Sequence, residues 1–268
     1  MSCKVLTSEQ IEQFVELGYV RVSQVFSRET AAAARAFLWR QLKLPPDDPA
    51  GWTKPVVHLQ QVYGDGPFAE ALTPRFWDIC DDVMGEGRWN AFDGLGWWPV
   101  SFPGFEKGPW QEPQGGWHVD GQQFHHHINS PDQGLLLIFL FSDIEPGDGG
   151  TTLSAGSHKV TARILAEAEP DGLDVYNLAR AVAAYPRHAV IEATGQAGDV
   201  YVMHPFMLHS RSVNTGNRVR FICNPCITLR EPMNLEHRDD RQYSPVERAI
   251  VQALNQDGTR RPALVGVA

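Results

Sequence analysis

The sequence is short of several things. Its 268 residues include only four cysteines, too scattered for a disulfide framework. Cys223 and Cys226 form one C-x-x-C, but no second pair completes a zinc site, and the run from Arg218 to Thr228 around them reads as β interrupted by Pro225. Long apolar runs are missing: the longest, Leu135 to Phe141, falls far below the ~18 residues that span a bilayer. The first residues, with Lys4, Glu9 and Glu12, lack the apolar stretch of a secretory signal. Positive charge is also in deficit, 23 Lys+Arg against 32 Asp+Glu, a formal net charge of −9. That argues against nucleic acid and anionic membranes, which want a basic face. Internal repeats and low-complexity linkers are absent. What remains, 43% hydrophobic and 21% charged, is the composition of a globular cytoplasmic protein with ample chain for a core.

Helix and strand signals alternate at first. Thr7 with Gln10 makes a capping box, Ile11, Phe14 and Val15 form an apolar face, and Gly18 closes the helix. Tyr19–Val22 follows as a strand, then a helix from Ser27 to about Leu42, a strand over Val56–Tyr63, and a helix from Thr73-Pro74 to Gly85. From Trp89 the pattern becomes short β runs between Gly/Pro turns. Leu135–Phe141 is apolar throughout, as in a strand buried on both faces. A helical insertion covers about 159–184. Val190–Glu192, Val200–His204 and Arg218–Thr228 then resume the β pattern, and Ser244-Pro245-Val246-Glu247 opens a last helix. We expect a single domain over 1–268: a helix-rich N-terminal support (1–88), a β core (89–230) and a C-terminal tail with a helix (231–268).

The chemistry concentrates at Gly115-Gly116-Trp117-His118-Val119-Asp120-Gly121. On a strand, residues two apart face the same side, so His118 and Asp120 would present an imidazole and a carboxylate to one point. That is two-thirds of a 2-His-1-carboxylate triad, which leaves positions open on ferrous iron. His158, His204 and His209 are candidates for the third ligand. Arg220 lies downstream; an arginine facing an apolar interior needs an anionic partner, and a bound dicarboxylate would serve through a bidentate pair.

These pieces resemble the phytanoyl-CoA dioxygenase family of iron(II)/2-oxoglutarate-dependent oxygenases. The matching parts are the Leu6–Val22 helix and strand, His118-Val119-Asp120, and Gly149-Gly150-Thr151 leading to Gly156-Ser157-His158-Lys159. Gly198-Asp199, His209 with Asn214, and Arg220 complete the set. The resemblance implies a mainly β protein with flanking helices around a double-stranded β-helix (jelly-roll) core. It implies that His118, Asp120 and His209 ligate Fe(II) and that Arg220 binds the side-chain carboxylate of 2-oxoglutarate. Consumption of O2, release of succinate and CO2, and hydroxylation of a small molecule follow from it. Many relatives carry a hydroxyl residue two places after the distal histidine, where this chain has Arg211. His204 resembles a histidine often found just before that ligand and receives no metal role.

Five of eight tryptophans lie between residues 89 and 117. Trp97 and Trp98 read as core, whereas Phe105 and Trp110, flanked by Gly and Pro, are candidates for a lid over the substrate. Gln122, His125 and His127, just past the metal segment, are candidate substrate contacts. The charge of −9 favours a neutral or cationic small molecule over a polyanionic acyl-CoA. The competing reading is a jelly-roll isomerase or hydrolase using the same ligands without oxygen chemistry, which has no need of Arg220.

Overall fold

The computed structural model describes residues 3–187 and 189–256; residues 257–268 of the expected tail lie outside the described residues. Local signals set the first elements. The Thr7 hydroxyl accepts the Gln10 N–H (3.2 Å) while the Gln10 side chain takes the Thr7 N–H (3.0 Å), starting α1 (Ser8–Leu17). Gly18, at φ +80, ends it and turns the chain into β1 (Tyr19–Val22). Ser27 caps α2 (Arg28–Leu42). Then come β2 (Val56–Leu59), a short α3 (Pro67–Ala71), and α4 (Pro74–Met84) capped by Thr73. β2 is shorter than the expected strand; Tyr63 contributes only an isolated bridge to Leu95.

The remaining strands are β3 (Trp98–Ser101), β4 (Leu135–Leu140), β5 (Thr152–Ser154), β6 (Val190–Glu192), β7 (Val200–Met203), β8 (His209–Ser210), β9 (Ile222–Cys223) and β10 (Cys226–Ile227). Asn224-Pro225 divides the expected Arg218–Thr228 strand because proline has no N–H for the ladder. The insertion between β5 and β6 holds two helices, α5 (Ser157–Ala168) and α6 (Val175–Ala183), parted by Pro170 and Gly172. The last helix, α7 (Pro245–Gln256), starts with Ser244 and the fully buried Glu247, whose carboxylate accepts the Ser244 N–H (2.9 Å) and pairs with Arg88.

All strand pairs are antiparallel. The larger sheet runs β1-β7-β4-β10, with β9 on β4 as well; the smaller runs β6-β5-β8; β2 and β3 form a ribbon. A bridge between Ser101 and Arg220 attaches that ribbon beside β9. β4 is buried on both faces. Leu135, Leu137 and Phe139 join the helix-side core with Phe14, Phe26, Phe76 and Trp98, while Leu136, Ile138 and Leu140 meet Leu153, Met207 and Ile222 between the sheets. Each such side chain contributes about 1.5–3 kcal/mol by leaving water, so these two layers hold the strands that carry the site.

His158 and His204 belong to this core. Their rings lie 5.0 Å apart, His158 Nε2 donates to Val15 O (3.1 Å), and His204 Nδ1 accepts the Phe206 N–H (3.2 Å). Burial, with Lys159 and Arg163 nearby, pushes His158 down to about 3; burial and His158 hold His204 well below its ordinary value. Both stay neutral in the fold but protonate near 6.5 when unfolded, so acid favours the unfolded chain below that pH. The melting temperature is expected to fall between pH 6.5 and 5, with His158 alone costing about 2 kcal/mol by pH 5. His158→Gln should flatten that slope; an unchanged slope would show that His158 does not cause it.

Candidate metal centre

The two sheets bring the separated pieces of the site together by backbone pairing. β8 pairs β5 with His209 opposite Leu153, and His118 forms an isolated antiparallel bridge with His209, N–H to O in both directions at 2.9 and 3.0 Å. The expected continuous strand through His118 and Asp120 is therefore one bridge, because Gly115-Gly116 before it and Gly121 after it break the ladder. That bridge suffices. Donor atoms of His118, Asp120 and His209 lie within 4.8 Å of one another, with Asp120 Oδ1 3.3 Å from His118 Nε2 and 3.5 Å from His209 Nε2.

Hydrogen bonds fix both rings. His118 Nδ1 faces Gly116 O (2.8 Å) and His209 Nδ1 faces Met207 O (3.1 Å). A carbonyl only accepts, so each Nδ1 carries the proton and each Nε2 is free to bind a cation. His209 is buried, whereas the His118 and Asp120 side chains are partly open, which gives the centre a protected side and an open side. Burial would raise the Asp120 carboxyl, but His209 and His118 overcome it and hold it far below the usual carboxylate range. Burial likewise opposes protonation of His118, and Asp120 outweighs it. Such mutual stabilisation of opposite charges suits a bound cation, and two imidazoles with one carboxylate fit ferrous iron.

The segment after Asp120 is supported by residues that sequence reading did not single out. His126 is fully buried; its Nε2 donates to Gly121 O (3.1 Å), and its Nδ1 lies 3.2 Å from the Gln133 side chain, whose amide reaches Asp120 O (3.4 Å). Before His118, Arg187 donates to Glu112 (2.7 Å) and lies 4.8 Å over the Trp117 ring, while Ser210 donates to Gly115 O (3.0 Å). Only burial separates His126 from its neighbours, and no local pattern announces it.

Arg220 is 1% exposed and faces the inter-sheet side, two residues before the inward Ile222. Its Nη1 donates to Gly149 O and its Nη2 to Pro99 O (2.8 Å); Nε has no partner, and no carboxylate lies within ion-pair distance among the described residues. Burial, then the nearby Arg211, pushes the guanidinium down to about 10, with Glu192 opposing. Glu192 itself accepts the N–H groups of Gly147 (2.7 Å) and Gly150 (2.8 Å), shaping the turn that offers Gly149 O. Gly149 has φ +78, and a Cβ on Gly150 would come within 2.5 Å of Ala193 O, so both positions need glycine. A cation buried without an anionic partner is costly.

The other expected contacts are dispersed. Gln122 and His125 are exposed, and His127 is half-buried against Glu169 (3.3 Å). Phe105 is exposed in the loop before the metal segment; Trp110 is half-buried with its indole N–H enclosed and unpartnered. His158 and His204 sit in the core described above, outside the triad. Trp98 is core as expected. Trp97 is not: it is 49% exposed because β3 turns Trp98 into the core and leaves its neighbour outside.

Residues 14–222 match the phytanoyl-CoA dioxygenase (PhyH) family. No curated protein matches the sequence. Among solved structures, HygX from Streptomyces hygroscopicus with nickel and 2-oxoglutarate bound superposes with a TM-score of 0.54 at 16% identity, covering 84% of this chain and 87% of its own. The alpha-ketoglutarate-dependent carbocyclase SnoK from nogalamycin biosynthesis gives 0.56 at 18%, covering 85% and 86%. EctD from S. alaskensis with 2-oxoglutarate and 5-hydroxyectoine gives 0.55 at 18%, covering 85% and 78%. The protein is thus an enzyme of the iron(II)- and 2-oxoglutarate-dependent oxygenase class. It belongs to the phytanoyl-CoA dioxygenase family, whose cofactor set is iron(II), 2-oxoglutarate and dioxygen.

Anaerobic titration with Co(II) checks the centre. Asp120→Ala should weaken binding by about 100-fold, or about 3 kcal/mol. Unchanged affinity would remove Asp120 from the ligand set.

Proposed function

We propose that the chain hydroxylates a small organic molecule at iron held by His118, Asp120 and His209, with Arg220 gripping the distal carboxylate of 2-oxoglutarate. The two inward faces of the sheets support a jelly-roll core, with 89–230 as that core, 1–88 supporting it and the remainder as a tail, all one domain. Iron and 2-oxoglutarate, once bound, would activate dioxygen, the oxidant: one oxygen atom would enter succinate as 2-oxoglutarate loses CO2, and the other would enter the substrate as a hydroxyl. The chain supplies position: the His118–His209 bridge sets two imidazoles side by side, Gly116 O and Met207 O fix their tautomers, and His126 with Gln133 steadies the backbone beyond Asp120.

The observation that carries this reading is the buried guanidinium of Arg220 without a carboxylate, on the inter-sheet face of the strand region beside the triad's sheet. An isomerase or hydrolase at the same triad leaves that charge unexplained. For the molecule oxidised, the charge of −9 supports a neutral or cationic compound over an acyl-CoA, whose phosphates want several basic groups. HygX has been crystallised with hygromycin B and EctD with 5-hydroxyectoine, which favours a small-molecule metabolite here too. Gln122, His125, His127, Phe105 and Trp110 remain candidate substrate contacts. Among the described residues no helix is long and apolar enough to cross a membrane, and all four cysteines are free thiols, as suits the cytoplasm.

Adding ferrous iron and 2-oxoglutarate without oxygen should produce a visible metal-to-ligand charge-transfer band, absent in Asp120→Ala. Arg220→Ala should keep iron but raise the 2-oxoglutarate concentration needed for half the band by roughly 100-fold. No band in iron-loaded wild type would favour the isomerase or hydrolase.

A further inference from the structure

The ribbon of β2 and β3 adjoins Arg220 and carries side chains that the core does not use. Its facing follows from register. Ser101 bridges Arg220, and His58 pairs with Pro99. Since Ile222 points between the sheets, Arg220, Ser101, Pro99 and His58 share that side, whereas Val57, Leu59, Trp98 and Val100 pack on the helix side. Trp97 lies with His58, ring centroids 5.8 Å apart.

Trp97 is unusual in two ways. It is a half-exposed indole, and its backbone sits at φ +61, a conformation that costs a bulky residue about 1–3 kcal/mol. The surroundings impose this: Asn224 N–H donates to Trp97 O (3.4 Å) and the Cys223 thiol donates to Gly96 O (2.8 Å). Strain that holds a large apolar ring in water has no packing return, so the ring is better explained by what it meets there.

Arg211 directly follows β8 on the smaller sheet. Two residues after His209, it points to the same side, while Ser210 and Ser212 turn their hydroxyls to Gly115 O (3.0 Å) and Gly150 O (2.8 Å). It is exposed, and its guanidinium enters no hydrogen bond or ion pair among the described residues. The two sides meet around Arg220: its Nη2 donates to Pro99 O, opposite His58 in the ribbon, and its Nη1 donates to Gly149 O, next to the Gly150 carbonyl that holds Ser212 beside Arg211. Partial burial, then Arg211 and Arg220, accordingly depress the proton affinity of His58.

We propose that Trp97, His58 and Arg211 form a substrate platform at the mouth of the metal site. It takes a neutral, planar organic molecule that lies against the indole and offers a carbonyl or hydroxyl oxygen to Arg211. The proposal rests on the oxygenase reading and narrows it, because the exposed guanidinium of Arg211 repels a cation.

The test titrates flavone, a neutral planar ketone, and proflavine, a planar cation, into wild type, Trp97→Gly and Arg211→Ala by calorimetry, with and without Fe(II) and 2-oxoglutarate under anaerobic conditions. Flavone should saturate wild type, bind about tenfold more weakly to Trp97→Gly and about fivefold more weakly to Arg211→Ala. Proflavine should bind wild type at least about tenfold more weakly than flavone. Trp97→Gly should melt no lower than wild type, since glycine accepts this φ. Overturning results are flavone that does not saturate, flavone affinity unmoved by both substitutions, proflavine binding as well as flavone, or a melting temperature that drops in Trp97→Gly. The charge-transfer band should persist in both variants. Its absence in wild type would count against the oxygenase reading alone, because the metal-free titration judges the platform separately.

Discussion

A guanidinium taken out of water without a carboxylate is the constraint around which this molecule is arranged. Arg220 is held by two carbonyls, one from β3 and one from the Gly149 turn, and a third donor is left without a partner. Isolated buried charge is costly, and the neighbouring Arg211 adds repulsion that Glu192 only partly offsets. The turn exists because Glu192 gathers two backbone N–H groups and two glycines permit the path. The ribbon of β2 and β3 is held at the Arg220 backbone through Ser101. Sheet assembly and the proposed grip on 2-oxoglutarate therefore meet at one residue.

The triad is built differently, with little regular structure of its own. His118 touches the smaller sheet through a single bridge, so its placement depends on anchors either side. Arg187, Glu112 and Trp117 clamp the approach, and His126 with Gln133 ties down the exit. Between the first clamp and β3 runs a largely exposed loop with Phe105, Gly104 and Gly108. An anchored centre bordered by an exposed loop suits an enzyme that must admit an organic substrate and then exclude water.

Legibility in the sequence followed the range of the interaction. The α1 capping box, the Thr73-Pro74 start of α4 and the Ser244–Glu247 start of α7 are written in adjacent residues and came out as read. The doubly buried β4 was visible as an uninterrupted apolar run. His118 and Asp120 were conspicuous by spacing, but the choice among His158, His204 and His209 was not: all three are buried, and only long-range pairing brings one to the others. The same blindness hid the role of His126 and the ribbon attached through Ser101, whereas Pro225 itself announced the division of the last strand. Trp97 and Trp98 look equivalent in sequence; the register of β3 and one positive φ send them to opposite environments.

The most direct measurement compares two ligands that differ only at the far end. Wild-type protein with ferrous iron, held without oxygen, should bind 2-oxoglutarate about 100-fold more tightly than 2-oxopentanoate, which lacks the distal carboxylate, and Arg220→Ala should reduce that preference to about threefold or less. A preference that survives the substitution, or none in wild type, would contradict the assignment of the buried guanidinium to the dicarboxylate.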